Sequence, residues 1–318
     1  MLEITILGSG SSGNSALVVS GETRVLIDAG LSCKQLCVRM EAQGVDPTSL
    51  DAILLTHEHG DHTKGIDVFS RKADIPLYCN PLTRETLEHG FKSEKTWRLV
   101  QTGAHFEIDA IRVETFAVPH DAVDPMGFVL RDAESSFGFV SDFGFATSLV
   151  RARLKEMNTI YIEANYDDVM LQKDEKRPWS TKQRIMARHG HLSNAQTAEL
   201  IGSVCHDGLE RVILGHLSKD CNTPEVAEAA VREALGANGA AHVEVLCAMQ
   251  EEPTAWFRAA KEGTSIMEEE SVEEVVAVTV AKVELPAEKE REKLTSTAVE
   301  ESPQKVISGR DGQLEFAL

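Results

Sequence analysis

Through Met1-Leu2-Glu3-Ile4-Thr5-Ile6-Leu7 apolar and polar side chains largely alternate, the period of a strand with one buried face. Residues 16–19 and 24–27 repeat that character around the turn Gly21-Glu22-Thr23, so the chain opens as a strand meander. Ser32 then reads as the N-cap of a helix running to about Gln43 and ended by Gly44. A short apolar strand at 52–56 follows. Further strands are expected at 110–118, 127–131, 137–141, 159–163, 211–215 and 242–246, and helices at 145–156, 194–204 and 224–235. An early meander followed by mixed strand and helix units predicts a layered α/β sandwich. Past Lys261 the chain becomes rich in Glu, Ser, Thr, Lys and Pro. Residues 1–261 therefore read as the catalytic domain and 262–318 as an acidic, disordered tail, with 275–283 as a transient strand.

At 318 residues, 42% of them hydrophobic and 26% charged, the composition is that of a globular protein able to bury a full core. No basic segment leads into a long apolar run at the start, and no apolar stretch approaches the roughly 20 residues that cross a bilayer. A cytoplasmic protein without a membrane partner is expected. The six cysteines contain no C-x-x-C pair, and Cys33 and Cys37 have the i, i+4 spacing of small buried groups on a helix. Reduced, structural cysteines are the expectation.

The formal charge of −19 is unlike that of a general nucleic-acid binder. Residues 261–318, with 7 Lys/Arg and 14 Asp/Glu, carry −7 of it. Two divalent metals would bring a local positive field to their site against this background.

Those metals are suggested by Thr56-His57-Glu58-His59-Gly60-Asp61-His62, which packs four ligand-type side chains behind an apolar strand. Any one of these histidines has an ordinary explanation as a core or surface residue. Their joint occurrence does not: on a regular strand His57 and His59 share a face, and Asp61 and His62 follow where the chain turns.

The stretch resembles the metal-binding signature of the metallo-β-lactamase superfamily, and its other motifs appear in order: Asp28 after Leu26-Ile27, His120 after Val118-Pro119, Asp142 after Val140-Ser141, and His216 after Leu214-Gly215. The resemblance spans about residues 1–260 and implies a four-layer αββα sandwich. It further implies that His57, His59 and His120 hold one metal, that Asp61, His62 and His216 hold the other, and that Asp142 bridges them. Asp28 would orient ligands without binding metal. Imidazoles with carboxylates suit two Zn²⁺ or Mn²⁺ ions, between which a bridging hydroxide is available at neutral pH as nucleophile.

Fold alone does not set the substrate. Tyr161-Ile162-Glu163-Ala164-Asn165 and Gly190-His191-Leu192-Ser193-Asn194 resemble motifs of the tRNA 3′-processing branch. That resemblance casts His191 as the acid protonating the leaving oxygen and Glu163 as the group that orients it and raises its pKa; with Asp61 these form the catalytic set. The ordinary alternative is that His191 merely precedes the helix begun at Ser193 or Asn194. Gly8-Ser9-Gly10-Ser11-Ser12-Gly13-Asn14-Ser15, His120-Asp121-Ala122, Arg184-Ile185 and Gly215-His216-Leu217-Ser218 together most resemble the WalJ/YycJ group, regarded as DNA nucleases with exonuclease action from a 5′ end. Lys219-Asp220-Cys221-Asn222 departs from that pattern and leaves the loop after His216 undefined. The Gly/Ser stretch lacks the Gly-Lys-Ser/Thr ending of a nucleotide-binding P-loop; it is either a tight loop turning its N–H groups to the site or a plain hairpin.

Lys173, Lys176, Arg177, Lys182, Arg184 and Arg188, against Asp174 and Glu175, make residues 173–191 a basic run around Trp179. It could hold a phosphate backbone through Lys182, Arg184 and Arg188 and stack a base on Trp179, or be a solvated helix face. At the far end Gln313, Leu314, Phe316 and Leu318 resemble the short peptides that bind the bacterial sliding clamp, a possible partner besides DNA. The competing reading is a small-molecule hydrolase of the same fold, acting on a cyclic phosphodiester, thioester or lactone. A regulatory scaffold working through the tail is a further alternative, and the complete ligand set argues against it.

Overall fold

The computed structural model describes residues 1–71 and 73–261; the tail readings at 275–283 and 313–318 lie outside the described residues. The expected meander forms as β1 (Glu3–Gly8), β2 (Ser15–Ser20) and β3 (Thr23–Ile27), and β4 (Ala52–Leu54), β5 (Leu77–Cys79) and β6 (Trp97–Leu99) continue the sheet in parallel. A second sheet runs antiparallel through β7 (His105–Ile108), β8 (Ile111–Ala117), β9 (Met126–Arg131) and β10 (Ser136–Val140), then parallel through β11 (Thr159–Glu163), β12 (Arg211–Gly215) and β13 (Glu244–Cys247). The last strand, β14 (Phe257–Arg258), returns to β1 at the edge of the first sheet.

Strand alternation sorts the core into three zones. Ile4, Ile6, Val18, Val25, Ile27 and Leu54 point between the sheets, against Phe128, Phe137, Phe139, Tyr161 and Ile213 of the second. The opposite residues of the first sheet, Leu17, Leu26 and Ile53, pack under α1 (Cys33–Ala42), beyond which come the single-turn helices α2 (Gly60–Thr63) and α3 (Ile66–Phe69) and the longer α4 (Pro81–Glu88). On the far side Ile160, Ile162, Val212 and Leu214 lie under α5 (Ser148–Leu154), α8 (Asn194–Val204) and α9 (Pro224–Ala237), while α6 (Asp168–Lys173) and α7 (Trp179–Ile185) intervene in the chain between α5 and α8. This is the expected αββα sandwich. Each fully buried aliphatic side chain adds about 1.5–3 kcal/mol of transfer free energy to it.

Local chemistry explains the boundaries. The Ser32 side chain accepts from Gln35 N–H to start α1, and Ser193 with Gln196 forms a capping box at α8. The helix expected from 145 starts at Ser148 because Thr147 caps it through Val150 N–H. Between 56 and 109 the chain is built of elements of three to eight residues, α2, α3, β5, α4, β6 and β7, that periodicity did not reveal. The histidine cluster leaves the strand at once: β4 ends at Leu54, His59 is the N-cap of α2, and Asp61 and His62 lie on that single turn.

Asp109 (φ 45°) takes left-handed backbone in the turn from β7 to β8, and so do three site residues just past strand ends: Asp28 after β3 (φ 58°), Asp142 after β10 (φ 56°) and His216 after β12 (φ 52°). Such a conformation is uncommon away from glycine and marks a turn whose position is enforced by its surroundings. At the three site residues it swings each side chain to one end of the sandwich.

Candidate metal centre

The chain segments that meet at this end are locked backbone to backbone. Asn14 N–H donates to Asp61 O (2.8 Å), Gly30 N–H to Asn14 O (2.9 Å) and Ala29 N–H to His62 O (2.8 Å). The packing is so close that a Cβ on Gly30 would lie 1.6 Å from Asp61 O. The loops that bring Asp142 and His191 together are equally tight, since a Cβ on Gly144 would meet Ala187 O at 2.1 Å.

Two groups of ligand atoms result, each within 4.8 Å of one another: His57, His59 and His120 in one, Asp61, His62 and His216 in the other. Asp142 faces both, because it also groups with His57 and His62. Its Oδ2 lies 2.9 Å from His62 Nε2 and its Oδ1 2.9 Å from His216 Nδ1. A further group joins Asp142, Glu163, His191 and His216. All the residues expected to take part in metal binding therefore come together.

The charge pattern fits a divalent metal. Burial and the neighbouring His62 hold His57 well below the ordinary imidazole pKa, so it is neutral. Its Nδ1 meets the Thr56 hydroxyl at 2.9 Å. Its Nε2 is buried with no hydrogen-bond partner, an uncompensated acceptor of the kind a cation satisfies. His120 is likewise lowered by burial, and its Nδ1 faces Gly190 O. Around Asp142 the sign reverses. Burial would lower His62, yet Asp142 and Asp28 push it up to about 10. Asp142, and hydrogen bonds to Asp142, Asp61 and Glu163, raise His216 against the same effect of burial. Asp142 itself, although burial opposes its charge, is held well below the usual carboxylate range by His216 and His62. In the metal-free protein protons compensate these buried carboxylates, and a divalent ion can replace them.

Asp28 stands behind the cluster. Its Oδ1 accepts from Thr56 N–H (2.9 Å), and its Oδ2 from Thr56 Oγ1–H (2.8 Å) and His62 Nδ1–H (2.7 Å). Glu163, fully buried, accepts from Phe143 N–H (2.6 Å) and Leu192 N–H (3.3 Å) through Oε1, while Oε2 lies 2.9 Å from His191 Nδ1. Burial would raise Glu163; the charge and hydrogen bond of His191 hold it low. His191, one-fifth exposed, lines a cavity of about 280 Å³ with Asp61, His120, Asp142 and His216.

The basic run behaves differently from the expectation. Lys182 is buried, its ammonium donating to Gln172 O (3.0 Å) and to Asp174 O. It holds α6 to α7 and has no surface to offer a phosphate, a correction to its expected role. Lys176 and Arg177 pair with Asp220, and Arg177 also with Asp174. That pairing gives the 219–222 loop its purpose. The Arg188 guanidinium lies 4.1 Å from the centre of the Phe145 ring, Arg184 pairs with Asp121, and Trp179 is 59% exposed.

Sequence reasoning missed two polar partners. Ser9 Oγ accepts from His216 N–H (2.7 Å) and shares a hydrogen bond with Tyr161 OH (2.8 Å). Asn14 fixes its amide by accepting from Gly10 N–H (2.8 Å), which leaves Nδ2 3.2 Å from His62 Nε2. Both belong to the Gly/Ser stretch, whose reading as a loop turned to the site was the signal for them.

This constellation on two facing sheets defines a class. The chain belongs to the beta-lactamase superfamily, whose domain description matches residues 23–217. Within it, the chain is 33% identical over 240 residues to exodeoxyribonuclease YycJ of Bacillus anthracis, covering 75% of this chain and 90% of that protein. It is 35% identical over 227 residues to exodeoxyribonuclease WalJ of Streptococcus pneumoniae, covering 70% and 84%. The metallo-beta-lactamase fold protein YhfI of Bacillus subtilis superimposes with a TM-score of 0.61 over 80% of this chain and 99% of that one, at 15% identity, a likeness of fold. Among the described residues no helix is long and apolar enough to cross a membrane.

Proposed function

We propose that this chain is a metal-dependent phosphodiesterase that degrades DNA from a 5′ end, with two divalent ions, Zn²⁺ or Mn²⁺, held by His57, His59 and His120 on one side and Asp61, His62 and His216 on the other, and with Asp142 between them. The observation that carries it is the buried Glu163 placed 2.9 Å from His191 at the wall of the metal cavity. Hydrolysis of a thioester needs no acid of that kind, whereas an alkoxide leaving a phosphodiester does. The exodeoxyribonuclease names of the two relatives support the choice of DNA.

When bound, the ions supply Lewis acidity and a water acidic enough to act near neutral pH. The protein's own groups supply the proton. With Nδ1–H directed at Glu163 Oε2, the imidazolium of His191 has Nε2–H left to give to the departing oxygen. Proton transfer of this kind contributes roughly 10²–10⁴ in rate. Thr56 and Asp28 hold His62 with Nδ1 protonated and Nε2 turned to the cluster.

One observation favours a small phosphodiester instead: most of the basic run is satisfied within the protein. The two readings separate on end-labelled single- and double-stranded DNA and RNA, assayed with Mn²⁺ or Zn²⁺ beside Asp61→Ala. Stepwise loss of 5′ nucleotides from DNA, abolished in Asp61→Ala, is expected. Turnover of a small phosphodiester with every polymer left intact would overturn the nuclease reading.

A further inference from the structure

Arg184 is the one lysine or arginine of the 173–191 run that lines the metal cavity, and its guanidinium is already occupied. Nε (3.0 Å) and Nη2 (2.6 Å) both donate to Asp121 Oδ2. Asp121 lines the same cavity, and its main chain is fixed by N–H donation to His189 O (3.0 Å). Both side chains are exposed, 73% for Arg184 and 54% for Asp121. An exposed pair is weak, and the planar fork of an arginine accepts a phosphate in the same two-point manner as a carboxylate.

We propose that Asp121 is a specificity-determining residue whose carboxylate stands where a substrate phosphate must bind to Arg184, so that every productive encounter exchanges one anion for the other. The inference rests on the phosphodiesterase reading. In the free protein Arg184 neutralises Asp121; once a phosphate takes the fork, Asp121 is an unpaired negative charge beside an anionic substrate. The pair thereby sets a standing penalty on polyanion binding at this mouth. It also mutes the salt dependence, because Asp121, left unpaired when DNA takes the fork, draws back a cation in place of the one that the phosphate releases.

The test is a double-mutant cycle on the metal-loaded protein: wild type, Asp121→Asn, Arg184→Ala and the double variant, each titrated with a fluorescent phosphorothioate DNA across a salt series. Asp121→Asn should bind more tightly by about two- to fivefold, in keeping with the loss of one exposed competing ion pair. Its slope of log Kd against log salt should steepen by up to ~0.9, one phosphate contact. In the Arg184→Ala background, where only the repulsion between Asp121 and the substrate is left to relieve, the same substitution should bring a clearly smaller gain and leave the slope nearly unchanged. An equal gain in that background would reduce Asp121 to general charge repulsion and overturn the exchange, as would an Asp121→Asn variant of unaltered affinity and normal melting temperature. Should no variant bind DNA, the polymer reading fails separately. The exchange is then decided with inorganic phosphate as competitor of bis(4-nitrophenyl) phosphate hydrolysis: a two- to fivefold lower inhibition constant in Asp121→Asn upholds it, about the range expected of one exposed pair, and an unchanged constant refutes it.

Discussion

Replacing Asp28 by Asn tests whether a residue outside the grouped ligand atoms decides how well a metal is held. The carboxylate is fully buried, accepts three hydrogen bonds and fixes which nitrogen of His62 carries the proton. Asparagine has the same shape and tolerates the left-handed backbone at φ 58°, so the fold is preserved. With its oxygen kept on Thr56 N–H, however, the new amide must sit where Oδ2 was, 2.7 Å from His62 Nδ1. Two donors cannot face each other there. His62 must move its proton to Nε2, the atom that points at Asp142, and so lose the lone pair that a metal needs. Loss of such a supporting contact typically weakens metal binding about 10- to 100-fold, or ~1.4 to 2.7 kcal/mol. Titration of chelator-stripped wild type and variant with Zn²⁺ against a chromophoric chelator, near neutral pH, reads this directly. The equivalent attributed to His57, His59 and His120 should change less than the one attributed to Asp61, His62 and His216. Two equivalents bound with wild-type affinities would refute the tautomer argument.

Glu163→Gln should lower kcat by roughly 10²–10⁴ while metal content stays at the wild-type level; metal loss measured by elemental analysis would instead make Glu163 a ligand. Gly30→Ala should cost more than about 4 kcal/mol or shift the Asp61 loop, because its Cβ would overlap Asp61 O at 1.6 Å; chemical denaturation together with metal titration distinguishes those outcomes from a neutral substitution. The pH response has a definite sign. His62, pushed up to about 10 by Asp142 and Asp28 against burial, stabilises the metal-free fold fully below its ordinary value of 6.5 and loses that contribution as pH rises toward 10. Melting temperatures of chelator-treated protein should therefore fall across this window, with those of the metal-loaded protein falling less. Parallel curves would count against it.

The sequence disclosed those parts of the site that lie in short contiguous motifs at strand ends. β11 and α8 have the expected limits, and Asp28, His120, Asp142 and His216 each follow a strand, β3, β8, β10 and β12 in turn. What it hid is long-range. The fate of the basic run depends on Asp121, 63 positions from Arg184, and on Asp220, 44 positions from Lys176. No periodicity reports such pairs. Lys182 sits among cations that look alike in sequence, and only the fold distinguishes one turned onto main-chain oxygens from one turned to solvent. The stretch from α2 to β7 was illegible because elements of one turn or three residues hold too few positions to show a period.

Asp142, Glu163 and His216 stand at or just beyond the ends of β10, β11 and β12, three adjacent parallel strands in which Val140 pairs with Ile162 and Glu163 with Gly215. Their lateral separation is consequently ruled by the fixed spacing of hydrogen-bonded neighbours, about 4.8 Å, and not by the lengths of the segments that leave those strands. The segment from Asp168 to Arg184, with α6 and most of α7, can thus be shortened, lengthened or exchanged for a relative's while the reacting groups keep their grid, provided that residues 185–190 keep their packing on Gly144, His120 and His191. Evolution, or an engineer, can retarget such a scaffold to a new polymer by rewriting its rim alone.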